Sequence, residues 1–240
     1  MNPTSLTLYT LGGAFGLRSV SPFCLKLELL LADLDLPYTL AVENDPRKAP
    51  KGKLPFLETA DRTIADSELI VQTLDEVSGG RVFAGLSLKQ RANGVALTRL
   101  AEEHLYWIMV ASRWLDDAWW PNVVDGFFHI APALVRPLVA GGARRQVRRT
   151  YALQGLGLHS LEEQRGFARR DFQALADALG AQPFLLGETP NSYDYAVTGL
   201  LAGIFDQQPP TWINAIADEF PSLRDYAERV QTYVGVFARK

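Results

Sequence analysis

Two short motifs in the first third of the chain have the residue types needed to bind a small peptide with a free carboxylate. In residues 51–57, Leu54 precedes Pro55 and is therefore pushed to extended geometry, so its N–H and C=O point sideways as at a strand edge. About ten residues later, Asp66 and Ser67 open an amphipathic helix, where unpaired N–H groups and partial positive charge attract a carboxylate. Asp66 can pair with a nearby ammonium group, so the two motifs together predict a peptide-binding pocket.

The elements around these motifs predict a compact α/β unit. Ser21 and Pro22 predict a helix start, because serine caps helices and proline suits the first helical position, and apolar residues then repeat at helical spacing. A second helix is predicted over residues 68–77, where two glycines follow and end it. The predicted order is βαβ followed by ββα. The predicted strands cover residues 6–11, 38–42, 54–58 and 62–65.

The rest of the chain has a helical pattern throughout. One long helix is predicted over residues 87–116, and another over 131–152 with interruptions at Pro137 and at Gly141 and Gly142. The spacing of Ser160 and its following glutamates is that of a capping box. Further helices are predicted over residues 160–180, from residue 191 onward, and over 211–219 and 221–237.

Length and composition indicate two domains with an ordinary core. The chain has 240 residues, of which 48% are hydrophobic and 21% are charged, and its formal net charge is −3. We place the domain boundary so that residues 1–84 form the α/β unit and residues 85–240 the helical unit. This small negative charge gives no indication of a nucleic-acid partner.

Cysteine and histidine usage also limits the possible sites. The single cysteine, Cys24, predicts no internal disulfide, and His104, His129 and His159 have no metal-ligand spacing, so no metal is predicted. Residues 1–20 lack the pattern of a signal peptide, and no apolar stretch reaches about 18 residues, so we expect no membrane span and a cytoplasmic protein.

Together, these motifs resemble the glutathione S-transferase superfamily. The proline turn, the Asp66-Ser67 helix start and the capped helix that follows residues 184–190 carry this resemblance. Residues 21–28, 48–56, 102–107 and 154–160, with Arg113 and Trp114, are similar to the branch that contains Failed axon connections and the metaxins. The resemblance implies a thioredoxin-like N-terminal domain followed by an all-helical C-terminal domain.

By resemblance, glutathione is the expected co-substrate, and several residues acquire roles. Ser21 occupies the place of the residue that stabilises the glutathione thiolate, although a Ser-Pro start can also be only a helix cap. Both roles are compatible. The residues expected to bind glutathione are Lys53, Leu54, Pro55 as a cis proline, Asp66 and Ser67.

The expected activity is conjugation of glutathione to a hydrophobic electrophile, in a homodimer that takes part in detoxification. Phe15, in the glycine-rich loop after the first strand, is expected to form the second-substrate pocket with Tyr106 and Trp107. The alternative for the segment that carries Tyr106 and Trp107 is that it forms part of the core between the two domains. Two alternative functions stay open: a non-catalytic binding or scaffold protein, and a thiol reductase that uses Cys24, which matches the last position of a Cys-x-x-Cys motif and is therefore expected to be buried.

Overall fold

A four-stranded mixed sheet forms the N-terminal part of the protein. The computed structural model describes residues 6–129 and 131–240. The strand order is β2-β1-β3-β4, in which β1 and β2 are parallel and the other neighbours are antiparallel. The predicted α/β unit is therefore confirmed. Its elements are β1 (Leu6–Thr10), α1 (Pro22–Asp33), β2 (Tyr38–Val42), β3 (Phe56–Glu58), β4 (Thr63–Ala65) and α2 (Ser67–Val77).

Helices make up the remainder of the described chain. The predicted helix over residues 87–116 is continuous to Trp114 but contains a π-helical segment, and a short helix, α5, follows that the sequence pattern did not predict. These elements are α3 (Leu88–Arg99), the π segment (Leu100–Leu105), α4 (Tyr106–Trp114), α5 (Trp120–Phe127), α6 (Arg136–Gln154), α7 (Leu161–Leu179), α8 (Ser192–Phe205), α9 (Trp212–Ala217) and α10 (Pro221–Val234).

The predicted interruptions of α6 are wrong. Pro137 lies in the first turn of the helix, where its missing N–H has no intrahelical partner to lose. Gly141 and Gly142 lie within an unbroken helix and face open space, since no atom lies within 4 Å of a Cβ added at either position. Glycine lowers helix propensity but does not by itself end a helix.

The two parts of the protein pack together through α1 and α8. Nine of the twelve residues of α1 are buried, because the helix contacts α8 most extensively and also packs against α2 and α10. Gly199 of α8 allows this close approach, since a Cβ at that position would lie 2.6 Å from the carbonyl oxygen of Pro22. The start of α1, where Ser21 caps the helix, is therefore fixed by the helical domain.

Across residues 6–129 and 131–240, no helix is both long and apolar enough to cross a bilayer. The α2 helix ends at Val77 and α3 begins at Leu88, so the predicted boundary at residues 84 and 85 falls in the connection between them.

Candidate active site

The register of the sheet brings three chain segments together at one end of the sheet. Tyr9 of β1 pairs with Phe56 of β3, and Phe56 pairs with Ala65 of β4. Since both pairs are antiparallel, the end of β1, the start of β3 and the end of β4 lie side by side. The loop after β1 leads to Ser21, and Pro55 and Asp66 directly flank the paired residues. Pro55, Asp66 and the loop that leads to Ser21 therefore lie at the same end of the sheet.

Ser21 caps α1 at this end of the sheet. Its backbone is extended, with φ −97° and ψ 117°, and its half-buried hydroxyl oxygen accepts a hydrogen bond from the N–H of Cys24 at 3.4 Å. The predicted capping role is thus confirmed. The same hydroxyl lies at the positive end of a 12-residue helix, where an anion is stabilised. The second role, stabilising a thiolate, stays a prediction.

Cys24 lies one turn further along α1 and is completely buried. The N–H of Leu11 donates to its sulfur at 3.4 Å, and burial raises the pKa of the Cys24 thiol. A buried thiol with a raised pKa forms little of the nucleophilic thiolate at neutral pH. The prediction of a buried cysteine is confirmed, and this geometry disfavours a reductase that would use Cys24.

The turn before β3 leaves backbone groups free. The Leu54-Pro55 peptide bond is cis, as expected, and Pro55 is buried. Within the described residues, no turn or loop hydrogen bond uses the N–H or the C=O of Leu54. Leu54 can therefore pair with an extended peptide as a strand edge does. Lys53 is exposed beside it.

The start of α2 has an unusual backbone. Asp66 has φ +110°, a region that side-chain-bearing residues rarely occupy, and its carboxylate accepts a hydrogen bond from the N–H of Glu68 at 2.9 Å. Such strained positions are often found at binding sites. Ser67, half-buried, is the first residue of the helix and directs its hydroxyl toward Lys26.

Lys26 and Glu102 form a buried ion pair beneath Ser67. The ammonium of Lys26 lies 2.8 Å from a carboxylate oxygen of Glu102 and donates to the Ser67 hydroxyl oxygen at 3.4 Å. The two side chains are only 5% and 8% exposed. Burial raises the pKa of Glu102, and the charge of Lys26 acts against this shift. The pair links α1 to the π segment of the helical domain.

A cavity of about 230 Å³ adjoins this ion pair between the two domains. The hydroxyl groups of Thr98 and Ser192 line it, and neither finds a hydrogen-bond partner among the described residues. The Glu68–Arg99 ion pair lies at its rim.

Comparisons with known proteins agree with this architecture. The family model described as "Glutathione S-transferase N-terminal domain" matches residues 22–119, and that described as "Glutathione S-transferase, C-terminal domain" matches residues 168–230. The "Isoprene-epoxide--glutathione S-transferase" of Rhodococcus sp. (strain AD45) is 33% identical over 94% of this chain and 98% of its own length. The chain belongs to the glutathione S-transferase family.

Two further proteins are similar to this chain. Failed axon connections of Drosophila melanogaster is 30% identical over 78% of the chain, which spans 47% of that longer protein. A glutathione S-transferase from Methylobacterium radiotolerans, solved in complex with glutathione sulfonate, has a TM-score of 0.64 and 17% identity, and the match covers 99% of this chain and 97% of that one. The similarity to the Methylobacterium radiotolerans structure concerns the fold alone. The predicted family and branch, the glutathione S-transferase fold and the prediction of an enzyme of this family are confirmed.

The aromatic residues predicted to line a second-substrate pocket fall into two clusters. Phe15 packs edge-on against Trp119, with ring centroids 4.8 Å apart, and also contacts α5. Tyr106 packs edge-on against Phe23 of α1 at 5.0 Å and against Trp107 at 5.5 Å. The three predicted residues are half-buried, and their role as a pocket stays a prediction.

Sequence reasoning did not identify Lys26 and Glu102 as part of the site. Of the two adjacent glutamates in the π segment, Glu103 is exposed and Glu102 is the buried acid. A charged residue within the apolar run of α1 was the available signal, because lysine is rarely buried without a partner. Within the described residues, no group of three or more His, Cys, Asp or Glu side chains could hold a metal ion.

Proposed function

We propose that this protein conjugates glutathione to a small hydrophobic electrophile. The proposal rests on the position of Ser21, Leu54 and Ser67 at the same end of the sheet. Leu54 would pair with the cysteinyl backbone, and Ser67 with the helix N-terminus would bind the γ-glutamyl carboxylate. Asp66 would pair with the γ-glutamyl ammonium, and exposed Lys53 has the charge and the position to reach the glycyl carboxylate.

The reaction needs a thiolate, because the neutral thiol of glutathione is a poor nucleophile. The Ser21 hydroxyl would donate a hydrogen bond to the sulfur, and the N-terminus of α1 would favour its negative charge. The thiolate then forms a carbon–sulfur bond with the electrophile. With an epoxide, a carbon–oxygen bond breaks and the resulting alkoxide takes up a proton, so the product is a hydroxy thioether.

An epoxide is the electrophile to test first. The Rhodococcus relative is named for isoprene epoxide, and it matches this chain over nearly its whole length. The second substrate would lie between the loop that carries Phe15 and the segment with Tyr106 and Trp107, whose aromatic rings supply apolar walls. We also propose that the protein is a cytoplasmic homodimer with a role in detoxification.

Two measurements test the activity. Calorimetry with reduced glutathione should detect binding, and isoprene epoxide should yield the conjugate. Ser21→Ala should lower kcat/KM about 100-fold, as expected for the loss of one hydrogen bond to a developing or stabilised anion. Cys24→Ala is the matched control in the same helical turn and should retain turnover.

The outcomes separate the alternatives. If Cys24→Ala loses turnover and Ser21→Ala keeps it, the result would support a thiol reductase that uses Cys24 and not a transferase that uses Ser21. Glutathione binding without conjugation of any electrophile would support a binding or scaffold protein, and an absence of glutathione binding would overturn the proposal.

A further inference from the structure

Arg113 is a buried guanidinium that only neutral oxygens hold. It lies on α4 and is 4% exposed. Its Nε donates to the side-chain oxygen of Gln207 at 2.6 Å, and its two terminal nitrogens donate to the carbonyl oxygens of Gly203 at 2.6 Å and Val20 at 3.4 Å. These contacts fix the position of the guanidinium without neutralising it.

No carboxylate balances this charge in the part of the chain that the structure describes. Arg113 forms no ion pair there, whereas a buried arginine is normally paired with an acid. The titratable group that faces it is Tyr106 on the same helix, and burial raises the pKa of Tyr106. Cys24, near Tyr106, also has a raised pKa, so both groups are neutral at neutral pH.

The acid next to Gln207 in the sequence does not change this balance. Asp206 precedes Gln207, but it faces Arg239, whose nitrogen lies 3.9 Å from its carboxylate. Burial lowers the pKa of Arg113 to about 10, so the guanidinium is charged throughout the neutral range. One full positive charge is therefore retained in the interior, where electrostatic effects reach further than in water.

This charge lies directly behind the candidate site. The carbonyl of Val20, which accepts from Arg113, belongs to the peptide group whose N–H is that of Ser21. We propose that the uncompensated charge of Arg113 stabilises the thiolate of glutathione bound beside Ser21, in addition to the serine hydroxyl and the helix N-terminus. This inference rests on the proposed function. It makes Arg113 an electrostatic positioning residue, since it acts across a peptide group.

Two substitutions at Gln207 separate charge from packing. Gln207→Glu places a carboxylate against Nε of Arg113 and cancels its charge while the guanidinium stays in place. Gln207→Met leaves the charge uncancelled. Both variants lose the two amide hydrogen bonds that Gln207 donates to Thr211 and Asn214. Gln207→Met also loses the oxygen that accepts from Nε of Arg113, so both variants disturb the hydrogen bonds around Gln207, but only Gln207→Glu cancels the charge.

The measurement is the pH titration of the ultraviolet absorbance of the thiolate in the glutathione complex. Gln207→Glu should raise the thiol pKa of bound glutathione by about one unit, which lowers kcat/KM about tenfold at a pH below that pKa. Gln207→Met should keep the wild-type thiol pKa. Equal titration curves for wild type and Gln207→Glu, or an equal rise in both variants, would overturn the inference.

A second pair keeps the test valid if Gln207→Glu does not fold. Arg113→Lys retains the positive charge and should keep the thiol pKa closer to the wild-type value than Arg113→Met does, with glutathione affinity measured alongside by calorimetry. A similar thiol pKa in these two variants would also contradict the inference. If the wild-type protein does not bind glutathione, the proposed function fails, and this result is distinct from a failure of the role of Arg113.

Discussion

Lys26 and Ser67 are joined by a contact that places a buried lysine beside a residue proposed to bind glutathione. The ammonium of Lys26 lies 3.4 Å from the hydroxyl oxygen of Ser67 and 2.8 Å from Glu102. Because Lys26 donates to the Ser67 oxygen, the hydroxyl hydrogen of Ser67 is left to donate to the γ-glutamyl carboxylate proposed to bind there. A buried ion pair adds little net stability in general, because desolvation offsets the attraction of the charges. Ligand binding is a physical reason for this pair to be charged.

Substitution of the ion pair separates its contribution to folding from its contribution to binding. Lys26→Met leaves Glu102 buried and unpaired, so the free energy of unfolding should fall by about 3–5 kcal/mol. Adding Glu102→Leu removes the unpaired charge and should restore most of this loss in urea denaturation. The double variant should nevertheless bind glutathione at least tenfold more weakly in calorimetry, roughly the cost of one charge-assisted hydrogen bond. Wild-type affinity in a folded double variant would contradict the binding role.

The residues of the site differ in how far the sequence could predict them. Ser21, Leu54, Asp66 and Ser67 lie in local motifs, where a cap or a proline turn constrains the backbone within a few residues. The pair between Lys26 and Glu102 joins residues 76 positions apart, and the bond from Arg113 to Gln207 spans 94. Such contacts depend on how the domains pack, which local spacing does not specify.

At the level of elements, the π segment between α3 and α4 is tied to α7 through His104. The Nδ1 atom of His104 forms a hydrogen bond and ion pair with a carboxylate oxygen of Asp171, and this hydrogen bond is the main cause of a raised pKa for His104. The folded protein therefore binds this proton more tightly than the unfolded chain does. The associated stabilisation is complete below the unfolded pKa of about 6.5 and is lost as the pH rises through the higher folded-state pKa.

The thermal stability of the protein should reflect this linkage. The melting temperature should contain a component that declines from about pH 6 upward. His104→Gln and Asp171→Asn should each remove that component, and the double variant should lose no more of it than either single variant. Calorimetric melting across this pH range measures the effect. A slope that persists unchanged in His104→Gln would show that other groups cause it.

The contact between α1 and α8 depends on a residue without a side chain. A methyl group at Gly199 would lie 2.6 Å from the carbonyl oxygen of Pro22, a backbone atom that cannot move alone. Gly199→Ala should therefore lower the free energy of unfolding by about 1–3 kcal/mol, as overpacking does. Gly142→Ala in α6 is the control: no atom lies within 4 Å, so better helix propensity should raise stability by about 0.5–1 kcal/mol. Urea denaturation of the two variants should give opposite signs.

These elements also show where sequence patterns are informative. Caps at Ser21, Ser160 and Asn191 place three helix starts correctly, because a capping side chain bonds to the backbone of its own first turn. The α5 helix was missed because it has only eight residues and begins next to a proline and several aromatic residues. The π segment was missed because it covers only six residues, and the shift of the apolar repeat over so short a stretch is not distinguishable from an ordinary α-helical pattern.

At the level of the whole molecule, the site lies where the two domains meet. Residues from both parts surround it, since Glu102 and Arg113 belong to helical segments that follow the sheet domain. Substitutions in the helical domain should therefore change glutathione chemistry without touching the peptide-binding turn.

We expect the protein to assemble as a homodimer. The resemblance implies a homodimer in which the N-terminal domain of one protomer contacts the helical domain of its partner across a two-fold axis. Leu69 of α2 and Val95 of α3 are exposed apolar residues, 43% and 46% accessible, next to the Glu68–Arg99 ion pair. We expect Leu69 to lie in this interface. Light scattering at micromolar concentration should give twice the chain mass of 26.6 kDa.

A matched pair on one helix tests this arrangement. Leu69→Glu should shift the mass toward that of one chain, because a buried, unpaired carboxylate in each half of a symmetric interface is costly. Val77→Glu, at the opposite end of α2 and similarly exposed at 42%, should remain dimeric. A wild-type mass near 26.6 kDa would exclude a stable dimer. A dimer that both variants retain would place the interface elsewhere, because a symmetric contact that included Leu69 could not accommodate two new charges.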